Sequence, residues 1–160
     1  MFVLVALCAF ALAASGLLYA YSDHAQESAR LRRAADRLTT PSGWTFIGSY
    51  QESGSGFPWV ISCFHPGVTK VYRTSAPPPE ACAVARAQVS REVASAEHTS
   101  YDSNCGWRAP IASVGSRATV GAGAQTASVL RAWRSPPWPG RIDATAGGTY
   151  VWVYFSGGPT

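Results

Sequence analysis

Side chains that could support hydrolysis crowd into one short segment. His98, Ser100 and Asp102 lie close together there, beside Tyr101 and Ser103. A nucleophilic hydrolase needs a hydroxyl, a base and a carboxylate, but these groups normally converge from separate elements and face an oxyanion hole. The chain contains no G-x-S-x-G elbow, H-E-x-x-H pair or P-loop. A hydrolase using His98 and Asp102 is therefore an alternative, and no catalytic residue is assigned.

The sequence gives no pattern typical of a cofactor, a metal ion or a nucleic acid as ligand. The cysteines form no C-x-x-C pair, and the Gly121-Ala-Gly123 segment has Thr126 where a dinucleotide-binding loop needs a third small residue. The net charge is +4, but four arginines of one short run, at positions 30, 32, 33 and 37, account for much of it. Elsewhere the basic residues are scattered. We assign no cofactor, no metal ligand and no nucleic-acid partner.

Cys82 and Cys105 are the predicted disulfide partners. Cys82 lies near the start of a predicted helix, and Cys105 precedes the strand that follows that helix. A bridge that closes a loop of this size constrains the unfolded chain by about 3 kcal/mol on the chain-entropy model. Cys63 could replace either partner; otherwise it is a small buried side chain.

Aromatic residues supply the candidate binding surface. Tyr150, Trp152 and Tyr154 alternate along the last predicted strand, and Trp138 is held among prolines in the loop before it. Rings on strands most often stabilise a sheet through cross-strand pairs. An exposed row of them could instead stack on an envelope glycan or grip a partner protein.

Alternating and helical patterns predict an α+β fold in which one helix covers an antiparallel sheet of about six strands. Apolar residues recur at three- and four-residue steps after Pro77, and this spacing indicates the covering helix. The predicted strands are Trp44 to Tyr50, Phe57 to Phe64, Val68 to Thr74, Trp107 to Val114, Arg117 to Gly123, Thr126 to Arg134 and Thr149 to Phe155. The last strand has two apolar faces, which suits a central position.

An uncharged apolar segment covers residues 2–21 and is long enough to span a bilayer. We predict an uncleaved transmembrane anchor at 1–21, a juxtamembrane helix or linker at 22–40, and an extracytoplasmic domain at 41–160. A cleaved signal peptide with secretion of the domain is the alternative. The arginines after the segment favour a cytoplasmic domain under the positive-inside rule. The cysteines and the Ser-rich composition favour an exported one.

These patterns favour a membrane-anchored binding or accessory module whose ligand is not specified. In composition the chain resembles small anchored export proteins of bacteria with GC-rich genomes, since Arg almost replaces Lys and Ala is abundant. Its predicted partners are membrane lipid through residues 2–21 and an envelope protein or glycan. The arginines after the segment could also touch lipid headgroups. A small subunit of a membrane assembly is a further alternative, because Ala9, Ala13 and Gly16 share one helix face.

Overall fold

A computed structural model describes residues 25–52, 66–93, 99–100, 105, 107–115, 118–132 and 147–157 of the chain. Several predictions fall outside these residues. They are the anchor at 1–21, the strand from Phe57 to Phe64, the hydrolase residues His98 and Asp102, the candidate ring of Trp138, and Cys63. The described helices include none with both the length and the hydrophobicity to cross a bilayer.

The described elements are three helices and six strands. They follow one another as helix α1 (25–37), strands β1 (Thr45–Glu52) and β2 (Gly67–Thr74), helix α2 (Pro78–Glu92), strands β3 (Thr99–Ser100), β4 (Trp107–Pro110) and β5 (Thr119–Thr126), helix α3 (Ala127–Ala132) and strand β6 (Thr149–Ser156). Pro78 opens α2, where a proline costs little because first-turn amides have no helical acceptor.

The strands form one antiparallel sheet in the order β1-β2-β6-β5-β4-β3, in which β3 is a two-residue extension. The predicted α+β class with an antiparallel sheet is thus confirmed. Strand β6 lies in the middle and pairs along its whole length with β2 and β5, as its two apolar faces predict. Strand β1 adds to the outer side of β2 and carries a bulge between Phe46 and Gly48.

Helices α1 and α2 cover one face of the sheet. Both helices place small or branched apolar side chains against alternate residues of β2, β4, β5 and β6. The buried side chains of this core are Leu31, Ala34, Ala35, Leu38, Val68, Tyr72, Ala81, Cys82, Ala85, Val89, Trp107, Ala109, Val120, Ala122, Ala124, Val151, Val153 and Phe155, with Ile111, Val114 and Ala118 beside them. The single covering helix of the sequence prediction is therefore one of a pair.

A second, smaller cluster lies on the opposite face of the sheet. It contains Val71, Ala127, Leu130, Tyr150 and Trp152, with Tyr50 and Tyr154 packed against it. Glycines of β5 let two of these rings approach the backbone. A β-carbon at position 121 would lie 2.4 Å from the Tyr154 ring, and one at position 123 would lie 2.2 Å from the Trp152 ring.

The predicted strand from Thr126 to Arg134 is wrong, because the chain turns into helix α3 directly after Thr126. The Thr126 hydroxyl lies 3.4 Å from the amide nitrogen of Val129 and so occupies the position of a helix cap. The Ala127 amide donates to the Gly148 carbonyl at 3.0 Å, which fixes the point where the helix leaves the sheet. Leu130 then packs on the second cluster.

The helix within 22–40, predicted as a juxtamembrane helix or linker, packs in the core of the body. Its Leu31, Ala34 and Ala35 are fully buried, and Leu38 nearly so, in the same core as α2. A segment rich in alanine has only moderate hydrophobicity, but its small side chains allow the helix to approach the sheet closely. The segment after the predicted anchor is thus part of the folded body.

The predicted disulfide joins Cys82 to Cys105, whose α-carbons lie 5.6 Å apart. It ties the first turns of α2 to the segment before β4. Cys105 has a positive φ of 71°, which L-residues other than Asn and Asp rarely adopt. The covalent bond therefore holds a backbone conformation that has a cost of its own.

Candidate functional site

A basic groove on the outer side of α1 is the candidate site. It is lined by Arg30, Arg33, Asp36, Arg37 and Ser113 and has a volume of about 650 Å³. The three arginines recur at helical spacing and are exposed. With one aspartate among them, they leave the groove with two net positive charges. Within the described residues, no carboxylate forms an ion pair with Arg30 or Arg33.

The buried side of α1 fixes the direction in which these arginines point. Leu31, Ala34, Ala35 and Leu38 lie in the core, so Arg30, Arg33 and Arg37 on the other side of the helix face outward. Two outward arginines also contact the sheet and its turns. Arg32 donates to the side-chain oxygen of Gln51 on β1, and Arg37 Nη2 donates to Ser113 Oγ at 2.8 Å.

The C-terminal end of α1 is joined to α2 by a network of hydrogen bonds. The Glu92 carboxylate accepts from the backbone amide of Thr39 at 2.8 Å and from its hydroxyl at 2.9 Å. Gln88 Nε2 donates to the Thr39 carbonyl at 2.8 Å and to Glu92 Oε1 at 3.1 Å. Partial burial opposes ionisation of Glu92, but the bonds from Thr39 and Gln88 outweigh it and lower the pKa of Glu92.

Lys70, the one lysine of the chain, caps the same helix end. Its ammonium Nζ donates to the Leu38 carbonyl at 3.1 Å, where a positive charge complements the helix dipole. Burial lowers the pKa of Lys70, while the carboxylates of Asp36 and Glu92 oppose that shift. Together with the previous network, this bond holds α1 rigidly on the body.

Tyr72 lies beside these groups, and the cavity next to it is too small for a substrate. Tyr72 is 1% exposed, and its hydroxyl has no hydrogen-bond partner among the described residues. The cavity between Tyr72, Thr39, Trp44 and Gln88 measures about 10 Å³, which is about the space of one water molecule. Burial, with a smaller effect of the Glu92 charge, raises the pKa of Tyr72 to about 12. The polar groups here join α1 to α2 and to the sheet.

The aromatic residues of β6 do not form an exposed row. Tyr150 is 2% exposed and Trp152 is 9% exposed, so both rings belong to the packed interior of the second sheet face. Tyr154 remains half-buried: Arg108 lies over its ring at 5.6 Å from the centroid, and Arg108 Nε donates to its hydroxyl at 3.0 Å. Of the predicted binding surface, Tyr154 is the described residue that retains access to solvent.

In the described part of the chain, no group of three or more His, Cys, Asp or Glu side chains could hold a metal ion. The residues proposed for the alternative hydrolase, His98 and Asp102, lie outside this part.

Sequence reasoning located the arginines but not the groove. The spacing of Arg30, Arg33 and Arg37 was the available signal, since these positions share one helix face. Ser113, which closes the groove, is 76 residues from Arg37 in the chain. Only the folding of β4 and its following turn against α1 brings the two together.

No family model matches this chain, and neither a curated protein nor a solved structure matches it significantly.

Proposed function

We propose that the chain is a membrane-anchored binding module with its body on the extracytoplasmic side and residues 2–21 as the anchor. The proposal rests on the length and hydrophobicity of that segment, which together suit a single span. The body contributes binding rather than catalysis. The observation that carries this role is the basic groove on α1.

The groove suits an anionic ligand. Arginine guanidinium groups pair with phosphate and carboxylate groups through two parallel hydrogen bonds, and Arg30 and Arg33 have no protein carboxylate that occupies them within the described residues. A volume of about 650 Å³ is within the range of small-molecule sites. Ser113 Oγ adds a hydroxyl that can accept or donate one more bond.

The Cys82–Cys105 bridge supports export of the body. Disulfides form and persist outside the cytoplasm and are rare inside it. The arginines after the anchor argue for the opposite orientation under the positive-inside rule. We give more weight to the bridge because it is a covalent feature of the folded body.

Thiol labelling of intact bacterial cells tests the orientation. Cys8 and Cys63 are replaced by serine to remove other thiols, and both the thiol reagent and the reductant are ones that do not cross membranes. The reagent should label Cys82 and Cys105 only after the reductant has been added. A Cys82→Ser, Cys105→Ser variant in the same background is the control for nonspecific signal. Labelling that requires cell lysis would place the body in the cytoplasm and contradict the proposal.

A further inference from the structure

The distance between the proposed anchor and the body is short. Three residues, 22–24, lie between Tyr21, the last of the apolar segment, and Ala25, the first described residue of α1, so the connection has four Cα-to-Cα steps. A fully extended chain covers about 3.5 Å per residue, so this connection spans at most about 14 Å. Since α1 is fixed to the body by the Thr39 and Lys70 hydrogen bonds, the body follows the anchor closely.

One end of the sheet lies beside α1, and we call it the anchor-side end. Strands β1, β4 and β6 finish there, while β2 and β5 begin there. Helix α1 meets it at three places. Arg32 bonds Gln51 near the end of β1, Arg37 bonds Ser113 in the turn after β4, and Glu27 lies against Gly157, just past β6.

The basic groove therefore belongs to the anchor-side end of the body. The opposite end of the sheet, where β2 finishes at Thr74, is seven residue steps away along that strand. At about 3.3 Å per step this is about 23 Å. The connection keeps the start of α1 within about 14 Å of the proposed anchor, so the anchor-side end is the one held near the bilayer surface.

We propose that the basic groove docks on the anionic phospholipid headgroups of the membrane that holds the anchor. This inference rests on the proposed function, because the connection to residues 2–21 supplies the proximity. The groove presents arginines with no ion-pair partner among the described residues, and lipid phosphates are the nearest source of complementary charge. Docking holds α1 along the surface and turns the opposite end of the sheet toward the aqueous side.

Quenching of a reporter by headgroup-labelled lipid tests this orientation on the full-length chain. A fluorophore is placed on Ala112→Cys, exposed in the turn at the anchor-side end, or on Ser75→Cys, exposed at the opposite end. Cys8 and Cys63 are serine in both proteins. The vesicles contain phosphatidylcholine alone or an equal mixture with phosphatidylglycerol, and a nitroxide headgroup lipid serves as the quencher.

With phosphatidylglycerol present, the label at position 112 should be quenched more strongly than the label at position 75, and raised salt should weaken the difference. Replacing Arg30 and Arg33 with Gln should lower the docking equilibrium by about fivefold per arginine, the equivalent of roughly 1 kcal/mol each. Arg86→Gln with Arg91→Gln removes the same charge from the exposed side of α2 and should leave docking unchanged. Thermal unfolding of both double variants verifies that each is folded.

The outcomes separate the two proposals. If the chain does not stay with vesicles of either composition, the anchor fails and the proposed function fails with it. If the chain inserts but positions 112 and 75 are quenched equally, or if the Arg30 and Arg33 replacements act no differently from the α2 replacements, headgroup docking is refuted while the anchor stands.

Discussion

Truncating Leu31 to alanine should destabilise the folded body by about 3 to 5 kcal/mol. Leu31 is 0% exposed and lies in the larger core, although its helix follows directly after the proposed anchor. Leu→Ala changes at fully buried sites cost about 2.7 to 5 kcal/mol, because the surroundings refill the cavity only in part. Ala34 and Ala35 pack tightly against the same sheet, so the helix has little freedom to move into the cavity that Leu31→Ala leaves. This favours the upper part of the range.

Val84→Ala on α2 is the matched control. Val84 is 37% exposed, and a change at such a surface position alters stability by about 0.5 kcal/mol or less. Both variants are unfolded with urea as full-length chains in detergent micelles and followed by tryptophan fluorescence. The free-energy difference is read from the shift in midpoint at constant slope. A Leu31→Ala midpoint equal to that of Val84→Ala would refute the packing of α1, and the rigid link from anchor to body with it.

Three further predictions concern the sheet and the α1–α2 contact. Gly123→Ala should destabilise the folded body by about 1 to 3 kcal/mol, because the added β-carbon would lie 2.2 Å from the Trp152 ring. Gly115→Ala is the control: a β-carbon there would have no described atom within 4 Å, so the same denaturation assay should show no change or a slight gain in stability. Tyr72→Phe should raise the melting temperature at neutral pH, since the Tyr72 hydroxyl is buried with no hydrogen-bond partner among the described residues. It should also abolish a loss of stability between pH 10 and pH 12: the unfolded chain releases this proton near pH 10, whereas the folded pKa is about 12, so rising pH favours unfolding. The pKa of Glu92 is lowered in the folded state, so the parent protein should lose stability as the pH falls and this carboxylate becomes protonated. Glu92→Gln should remove that loss of stability. Unfolding curves that show no such pH dependence in the parent protein would contradict both assignments.

The parts of the fold that local patterns determine could be predicted from the sequence. Strand β6 alternates apolar side chains on two faces, and it lies between β2 and β5. Helix α2 carries a regular apolar stripe, and Cys82 at its start pairs with Cys105 in the next segment. The position of β6 and the stripe of α2 follow from local patterns, whereas the cysteine pairing was favoured over pairings with Cys63 by the order of the elements.

Tertiary contacts decided what the sequence did not reveal. The segment after Thr126 has residues that suit a strand, yet the Thr126 hydroxyl and the Gly148 carbonyl direct it into α3. The burial of α1 depends on Ala34 and Ala35, whose small side chains give a weak hydrophobic signal. The aromatic residues of β6 were predicted either to pack or to bind, and glycines on the neighbouring strand allow Trp152 to pack.

Alkaline carbonate extraction of membranes from cells that express the full-length chain tests the anchored placement most directly. A variant that lacks residues 2–21 is the control and should appear in the soluble fraction. The full-length chain should stay in the membrane pellet with the mass of the uncleaved sequence. Release of the full-length chain into the supernatant, or a chain shortened by removal of its apolar segment, would contradict the account.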